Sequence, residues 1–132
     1  MDAQECFTHL AKAIFEAKQE IFIAGWMFSP LIYLIRDHHP VASDFRLDIL
    51  LKHKASEGVK IYIMIWKETS VAGMNLESRQ VKKYLRSLYP KNIHVTTHPK
   101  TLPLEWTHHQ KFLVVDQKIA FLGGLDLCWG RY

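Results

Sequence analysis

The sequence lacks several features that define other classes of protein. No apolar run approaches the roughly 20 residues that a helix needs to span a bilayer. The first residues, MDAQECFTHL, do not have the basic and then apolar layout of a secretory signal peptide. Cysteine occurs only at Cys6 and Cys128, too far apart to suggest a metal-ligand pair. These absences favour a reduced, intracellular protein.

The composition is that of a globular domain. The 132 residues are 48% hydrophobic and 23% charged, which fits one domain with a modest core. The sequence has no internal repeat and no low-complexity segment. Its formal net charge of +4 favours anionic partners such as phospholipid headgroups or nucleic acid. Because the basic residues are scattered, an ordinary solvated surface explains them equally well.

Helical and strand patterns alternate along the chain. Apolar residues at three- and four-residue spacing predict helices, and short apolar runs rich in β-formers predict buried strands. The predicted helices are 3–18, 44–56 and 77–88, and the predicted strands are 21–28, 59–66, 93–97, 109–115 and 118–122. This alternation predicts an α/β fold, an α-β-α sandwich with a mainly parallel mixed sheet. The last two strands should form an antiparallel pair joined by a tight turn at Asp116–Gln117.

His109 and Lys111 carry the strongest chemical signal in the sequence. They begin the pattern H-x-K-x4-D, which ends at Asp116. In a strand, residues two apart share a face and lie roughly 6 to 7 Å apart, so we expect both side chains to point the same way. An imidazole can then act as nucleophile or general acid–base on a phosphate ester, while the ammonium offsets negative charge in the transition state. The alternatives are a strand-end histidine bound by backbone groups and a strand lysine that reaches solvent.

The residues after Lys111 have structural and chemical interpretations. Asp116 falls where the hairpin turns, so capping of nearby backbone amides is favoured over direct chemistry. Gly123 and Gly124 at a strand end allow close backbone approach, and their amides could line an anion site; a plain bend is the alternative. Asp126 could orient a histidine from elsewhere, or be a loop carboxylate.

A zinc site is not expected. His94 and His98 have the spacing of a metal pair on a helix, but the predicted strand ends between them. Their side chains therefore have no reason to converge on one ion.

These residues together resemble the phospholipase D superfamily. His109, Lys111 and Asp116, followed by Gly123–Gly124, match its HKD motif. The resemblance to the first catalytic half of eukaryotic phosphatidylcholine-hydrolysing phospholipases D covers essentially the whole chain. It is carried by the segments W-x-F-S-P at 26–30, WKE at 66–68, HHQK at 108–111 and GGLDLCWGRY at 123–132.

The resemblance implies one lobe of a two-lobed enzyme with one HKD motif per lobe. Residues 1–132 would then be a single lobe and a fragment of the whole enzyme. One histidine attacks phosphorus to give a phosphohistidine, and the other protonates the leaving alcohol and then activates water or a primary alcohol. In the family the first-half histidine usually attacks, which assigns that role to His109. Lys111 would bind phosphate oxygens, and the chemical step needs no metal or other cofactor.

The implied activity is hydrolysis of phosphatidylcholine to phosphatidic acid and choline, with transphosphatidylation. The implied location is cytoplasmic with peripheral association to a phospholipid membrane, and the implied partner is a second HKD lobe from downstream or from another subunit. Gly123, Gly124 and Asp126 would bind substrate, although other branches have Asn at the position of Asp126. Two alternatives stay open: a single-motif nuclease active as a homodimer, and an inactive binding fragment. The run 123–132 favours lipid over nucleic acid.

Overall fold

The computed structural model of the chain describes residues 2–36, 43–67, 78–99 and 108–131. The helices are α1 (Ala3–Glu16), α2 (Leu47–Ser56) and α3 (Ser78–Leu88), and a 3-10 turn at Ser43–Phe45 precedes α2. The strands are β1 (Glu20–Gly25), β2 (Lys60–Ile65), β3 (Ile93–Thr97), β4 (Phe112–Val115) and β5 (Ile119–Leu122). Among the described residues, no helix has the length and hydropathy to cross a bilayer.

The five strands form one mixed sheet in the order β3-β2-β1-β4-β5. β1, β2 and β3 run parallel, whereas β4 is antiparallel to β1 and β5 is antiparallel to β4. In the central strand, Ile21 pairs with Ile61 on one side and Val115 on the other. The predicted α/β class, the mixed sheet and its antiparallel pair are confirmed, and among the described residues the helices form one layer against the sheet rather than the two of an α-β-α sandwich.

The core lies on one face of this sheet. Alternate strand residues such as Ile23 and Ile63 point into it and are almost fully buried. The described helices contribute to the same cluster through Phe7, Leu10, Ile14, Leu47, Leu50, Leu51 and Leu85. The opposite face, called the open face below, includes Phe22, Tyr62 and His94, whose rings stack in a row with centroids 5.0 and 5.3 Å apart. No described helix joins its buried residues to that face.

The helix predicted from Asp44 begins three residues later, at Leu47. Arg46 is its N-cap residue and makes no side-chain capping bond. The reason for the later start is a local pairing, since Arg46 forms an antiparallel bridge with Tyr33. Because Arg46 is extended in this bridge, it lies just outside the helix as its N-cap, and its carbonyl accepts the first helical hydrogen bond from the amide of Leu50 over 3.0 Å.

The β4–β5 turn is the tight turn that the sequence predicts. Asp116 and Gln117 have φ of 52° and 54°, and the amide of Lys118 donates to the carbonyl of Val115 over 3.0 Å. Two consecutive left-handed residues between antiparallel strands form a two-residue hairpin turn of the favoured primed type. The hairpin therefore fixes the register in which the motif strand meets β1.

Candidate active site

The candidate site forms where β1 ends. One oxygen of Asp126, Oδ1, accepts hydrogen bonds from the amides of Trp26 at 2.8 Å and Met27 at 3.2 Å. These two amides therefore form no hydrogen bonds with a neighbouring strand. The pairing between β1 and β4 ends at Ala24 and Phe112. The prediction of a strand over 109–115 is therefore wrong for its first three residues, which precede β4.

The sequence predicts that His109 and Lys111 share one face of a strand. They do not, because both residues precede β4. His109 is exposed, with its ring centroid 5.2 Å from that of Trp26. Lys111 is only 7% exposed, and its ammonium donates to the carbonyl of His109 over 2.8 Å. The Nζ atom of Lys111 also lies 5.7 Å from the Trp26 ring centroid, within the range of a cation–π contact. The two side chains are brought together around Trp26.

Trp26 is a further member of the site, although the sequence patterns predict no chemical role for it. It is half-buried and its ring also lies 5.9 Å from that of Trp66, which is buried. A signal was present in the sequence, because Trp26 directly follows the apolar run of β1. In parallel sheets, functional groups gather beyond the carboxyl ends of the strands.

Asp126 is the most buried charged group of the site, at 1% exposure. Its second oxygen, Oδ2, lies 3.5 Å from Nζ of Lys111, which makes an ion pair. That oxygen has no hydrogen-bond partner among the described residues. Gly25 gives the carboxylate room, since a Cβ there would lie 3.4 Å from Oδ1 and 3.3 Å from the Met27 carbonyl. The carboxylate thus contacts the protein rather than open solvent.

Asp116 lies at the other end of β4, about 16 Å from Lys111 at the usual rise of a strand. Its carboxylate accepts hydrogen bonds from the amides of Lys18 at 2.8 Å, Gln19 at 2.8 Å and Glu20 at 2.9 Å. The sequence predicts that Asp116 caps amides near its own turn. In the structure it caps amides almost a hundred residues earlier in the sequence instead. The distance along β4 separates the Asp116 carboxylate from the Lys111 ammonium, and its hydrogen bonds give it a structural role in the described residues.

The same hydrogen bonds govern the ionisation of Asp116. Partial burial by itself would raise the pKa of this carboxyl. The three amide donors, from Glu20, Lys18 and Gln19, outweigh the burial and hold the pKa below its usual range. The side chain is therefore a carboxylate at neutral pH.

Gly123 and Gly124 form an exposed bend after β5. A Cβ added to either would meet nothing within 4 Å among the described atoms, and neither has the positive φ that favours glycine. The space beside both glycines is therefore open among the described atoms. The amide of Gly123 lies 3.4 Å from the carbonyl of Lys111 and extends the hairpin toward the site.

Beside the site, the rings of His98 and His108 stack with centroids 4.6 Å apart. Nδ1 of His108 is buried and has no hydrogen-bond partner among the described residues. Burial is the main cause that lowers the pKa of His108, and repulsion from His98 and Lys111 adds to it. His94 stacks instead on Tyr62 of the open face, away from His98.

An apolar cleft of about 370 Å³ adjoins Lys111. Residues of α1 form one wall, and the β4–β5 hairpin and the bend after it form the other. Its lining includes Cys6, Leu10, Gly25, Phe28, Phe121, Gly123, Gly124 and Leu127. Gly123 and Gly124 therefore belong to the surface that surrounds Lys111.

Comparison with known proteins concerns the whole chain. The family described as Phospholipase D matches residues 13–132. The chain is 54% identical to phospholipase D C of Dictyostelium discoideum over 96% of this chain and 8% of that protein. It is 50% identical to phospholipase D2 of Bos taurus over 96% of this chain and 13% of that protein. The chain thus spans about a tenth of the length of these relatives.

The fold is also found in a solved structure. NucT from Helicobacter pylori has a TM-score of 0.62 over 97% of this chain and 71% of that chain, at 22% identity. At this identity the likeness concerns the fold alone. The family match covers most of the chain, and about half of its residues recur in phospholipases D over nearly its full length, so this chain belongs to the phospholipase D family.

Proposed function

We propose that this chain supplies one half of a phospholipase D active site, which hydrolyses phosphatidylcholine to phosphatidic acid and choline. The observation that carries the proposal is that the exposed imidazole of His109 and the buried ammonium of Lys111 both lie against the ring of Trp26, at the carboxyl end of the central strand. An anionic phosphodiester can meet the imidazole from solvent while the ammonium attracts its oxygens. The family and the fold support the same interpretation.

In the proposed first step, a ring nitrogen of His109 attacks phosphorus and the bond to the choline oxygen breaks. The leaving oxygen takes a proton from a second histidine, which the partner lobe supplies. Lys111 stabilises the negative charge that builds on the phosphoryl oxygens. The product of this step is a phosphohistidine that carries the phosphatidyl group.

In the second step, the oxygen of water or of a primary alcohol attacks phosphorus, and the bond from phosphorus to the His109 nitrogen breaks. The second histidine, now neutral, removes the proton of the attacking oxygen. Water gives phosphatidic acid, and a primary alcohol gives the exchanged phospholipid. Protein side chains carry every proton, so the proposed steps use no cofactor.

The other motif residues have supporting roles in this proposal. Asp116 fixes β4 by capping the amides of residues 18–20. Gly123 and Gly124 leave the surface beside Lys111 free of side chains, so that substrate can approach. Asp126 takes part in phosphate binding through Lys111.

The site is proposed to be completed by a second HKD lobe, downstream in the natural protein or on another subunit. Residues 1–132 form the first lobe in this arrangement. We further propose a cytoplasmic protein that acts at a phospholipid surface. The net charge of +4 and the exposure of Leu122 at 81% and Trp129 at 57% support contact with an anionic, partly apolar surface.

The test is phosphatidylcholine hydrolysis by this chain, alone and mixed with a chain that carries the second HKD lobe of a relative. We expect choline release only from the mixture, and a phosphohistidine on His109 in quenched samples analysed by mass spectrometry. A His109→Asn chain should give neither. If the chain alone dimerises and cleaves DNA but not phosphatidylcholine, a nuclease function replaces the lipid one; if the mixture is inactive on both, the chain is a binding fragment.

A further inference from the structure

The ion pair between Lys111 and Asp126 is unusual for a site that receives an anion. Both side chains are buried, at 7% and 1% exposure, and their charged atoms lie 3.5 Å apart without a hydrogen bond. The other oxygen of Asp126 is engaged by the amides of Trp26 and Met27. The carboxylate is therefore fixed by the backbone, and its second oxygen faces the buried cation of the motif.

The charges of Lys111 and Asp126 affect both the stability of the protein and the binding of phosphate. A buried ammonium without a counter-charge is strongly destabilising, and a nearby carboxylate compensates it. A phosphate that reaches Lys111 must compete with that carboxylate for the same positive charge. The local charge that a phosphate meets is near zero for the pair and would be near +1 for Lys111 alone.

We propose that Asp126 is the internal counter-ion of Lys111, a positioning residue that holds the ammonium in place and limits how tightly the site retains phosphate. The inference rests on the proposed function in one respect, namely that Lys111 is the phosphate-binding cation. It differs from direct substrate contact by Asp126, because the effect passes entirely through Lys111. A weaker hold on phosphate also favours release of an anionic product.

The first experiment compares the chain with its Asp126→Asn variant. Asparagine keeps the oxygen that accepts the Trp26 and Met27 amides and replaces the charged oxygen that faces Lys111 with a neutral NH2 group. We expect a lower melting temperature, because Lys111 is left buried and uncompensated. We also expect inorganic phosphate to bind about tenfold more tightly or better, measured by isothermal titration calorimetry.

The second experiment repeats the comparison with Lys111→Met. If Asp126 acts through Lys111, phosphate affinity in Lys111→Met is low and is unchanged by adding Asp126→Asn. The double variant should also melt at a higher temperature than Asp126→Asn, because both buried charges are gone. This measurement keeps the proposal testable if Asp126→Asn by itself is too unstable for calorimetry.

Asp48→Asn is the matched control. Asp48 is also buried, at 2% exposure, and also ion-paired, with its Oδ1 atom 2.7 Å from Nε of Arg46, but it belongs to α2. We expect this variant to lose stability without any change in phosphate affinity. If the role of Asp126 were purely structural, Asp126→Asn would likewise lose stability without any change in phosphate affinity.

The outcomes separate the two proposals. Equal phosphate affinity in the parent chain and Asp126→Asn, with loss in Lys111→Met, overturns the counter-ion role and leaves Lys111 as the phosphate-binding residue. Tighter binding that persists in the double variant means that residue 126 acts on phosphate directly, through the lost charge or through the introduced asparagine, which also overturns the counter-ion role. Affinity that does not depend on Lys111 overturns both this inference and the role of Lys111 in the proposed function.

Discussion

Two carboxylates hold the motif strand β4 in place, one at each end. Asp116 accepts three backbone amides from residues 18–20, and Asp126 accepts two from the residues that follow β1. Hydrogen bonds to charged groups contribute about 1.5–3 kcal/mol each, roughly twice a neutral bond. A strand of only four residues is thereby aligned with the central strand of the sheet.

Replacing Asp116 with Asn should lower the free energy of unfolding by about 2 kcal/mol at pH 7, because Asn keeps one acceptor and loses the charge. The pKa of Asp116 is lowered in the folded state, so its contribution is present above the unfolded pKa of about 3.9 and is lost as pH falls through the folded value. Urea unfolding from pH 7 to pH 2 measures this, and the two proteins should converge at the acid end.

The control for this change is Asp2→Asn. Asp2 accepts one exposed amide, that of Glu5, as the N-cap of α1. Asparagine is an equally good N-cap, so stability at pH 7 should change by less than about 0.5 kcal/mol. An equal loss in both variants would contradict the special contribution of Asp116.

His108 should make the protein less stable in mild acid. Its pKa is lowered in the folded state by burial, so below the unfolded pKa of about 6.5 the unfolded chain binds more protons than the folded one. Stability therefore falls as pH drops through this range. His108→Gln should flatten the dependence between pH 7 and pH 5, measured by urea unfolding at each pH. An unchanged slope would show that His108 is not the group responsible.

At the scale of elements, the end of β1 decides where the site lies. The strand stops because Asp126 takes the next two amides, and Gly25 is the residue that lets the carboxylate come close. A side chain at Gly25 would meet a backbone carbonyl at 3.3 Å, which cannot move freely. The segment 126–128 is held here too, since the amide of Ser29 donates to the carbonyl of Leu127 over 2.8 Å.

Gly25→Ala and Gly124→Ala form a matched pair that tests this junction. Gly25→Ala should lower the free energy of unfolding by about 1–3 kcal/mol, the usual effect of overpacking. Gly124→Ala should leave it unchanged or raise it by up to about 1 kcal/mol, because nothing lies within 4 Å and φ is not positive. Denaturant unfolding measures both. Equal losses of unfolding free energy in the two variants would mean that the atoms near Gly25 move away from the new Cβ without a cost in free energy.

At the scale of the molecule, the sheet has one face covered by the described helices and one open face. The open face presents aromatic and aliphatic side chains across several strands, including Phe22, Tyr62, Phe112 and Leu122. Leu122 is 81% exposed. Contiguous apolar surface of this kind promotes association.

Leu122→Lys should therefore reduce self-association of the chain without altering its stability. A lysine on the edge strand β5 also discourages strand pairing between molecules. Sedimentation velocity over a range of concentrations measures the effect. Leu31→Lys is the control, since Leu31 is 46% exposed but lies outside the sheet. A parent chain that is monomeric at every concentration would contradict the prediction.

Sequence patterns predict local structure well in this chain, because apolar periodicity reports which face each element buries. The strand Ile93–Thr97 and the turn at Asp116–Gln117 agree with the prediction residue for residue. The His109–Lys111 motif is likewise visible as a pattern. Its geometry is not, because the length of β4 depends on a carboxylate, Asp126, that ends a different strand.

Contacts that local sequence patterns do not encode also explain the other differences between the predicted and the observed structure. Asp116 was predicted to cap its own turn, whereas its partners are amides 96 to 98 residues earlier in the sequence. Arg46 interrupts a predicted helix because it pairs with Tyr33. In each case a contact between distant or irregular segments overrides a local preference, and no periodicity encodes such a contact.

The hydrogen bonds between Asp116 and the distant residues 18–20 have a consequence for synthesis of the protein. Until β4 leaves the ribosome, β1 has one unpaired edge and the amides of residues 18–20 have no carboxylate to accept them. At ordinary translation rates this interval lasts about 5–20 seconds. During it, the apolar central strand of the nascent chain is a template for misplaced pairing, so chaperones should engage this chain early and release it once the hairpin has been made.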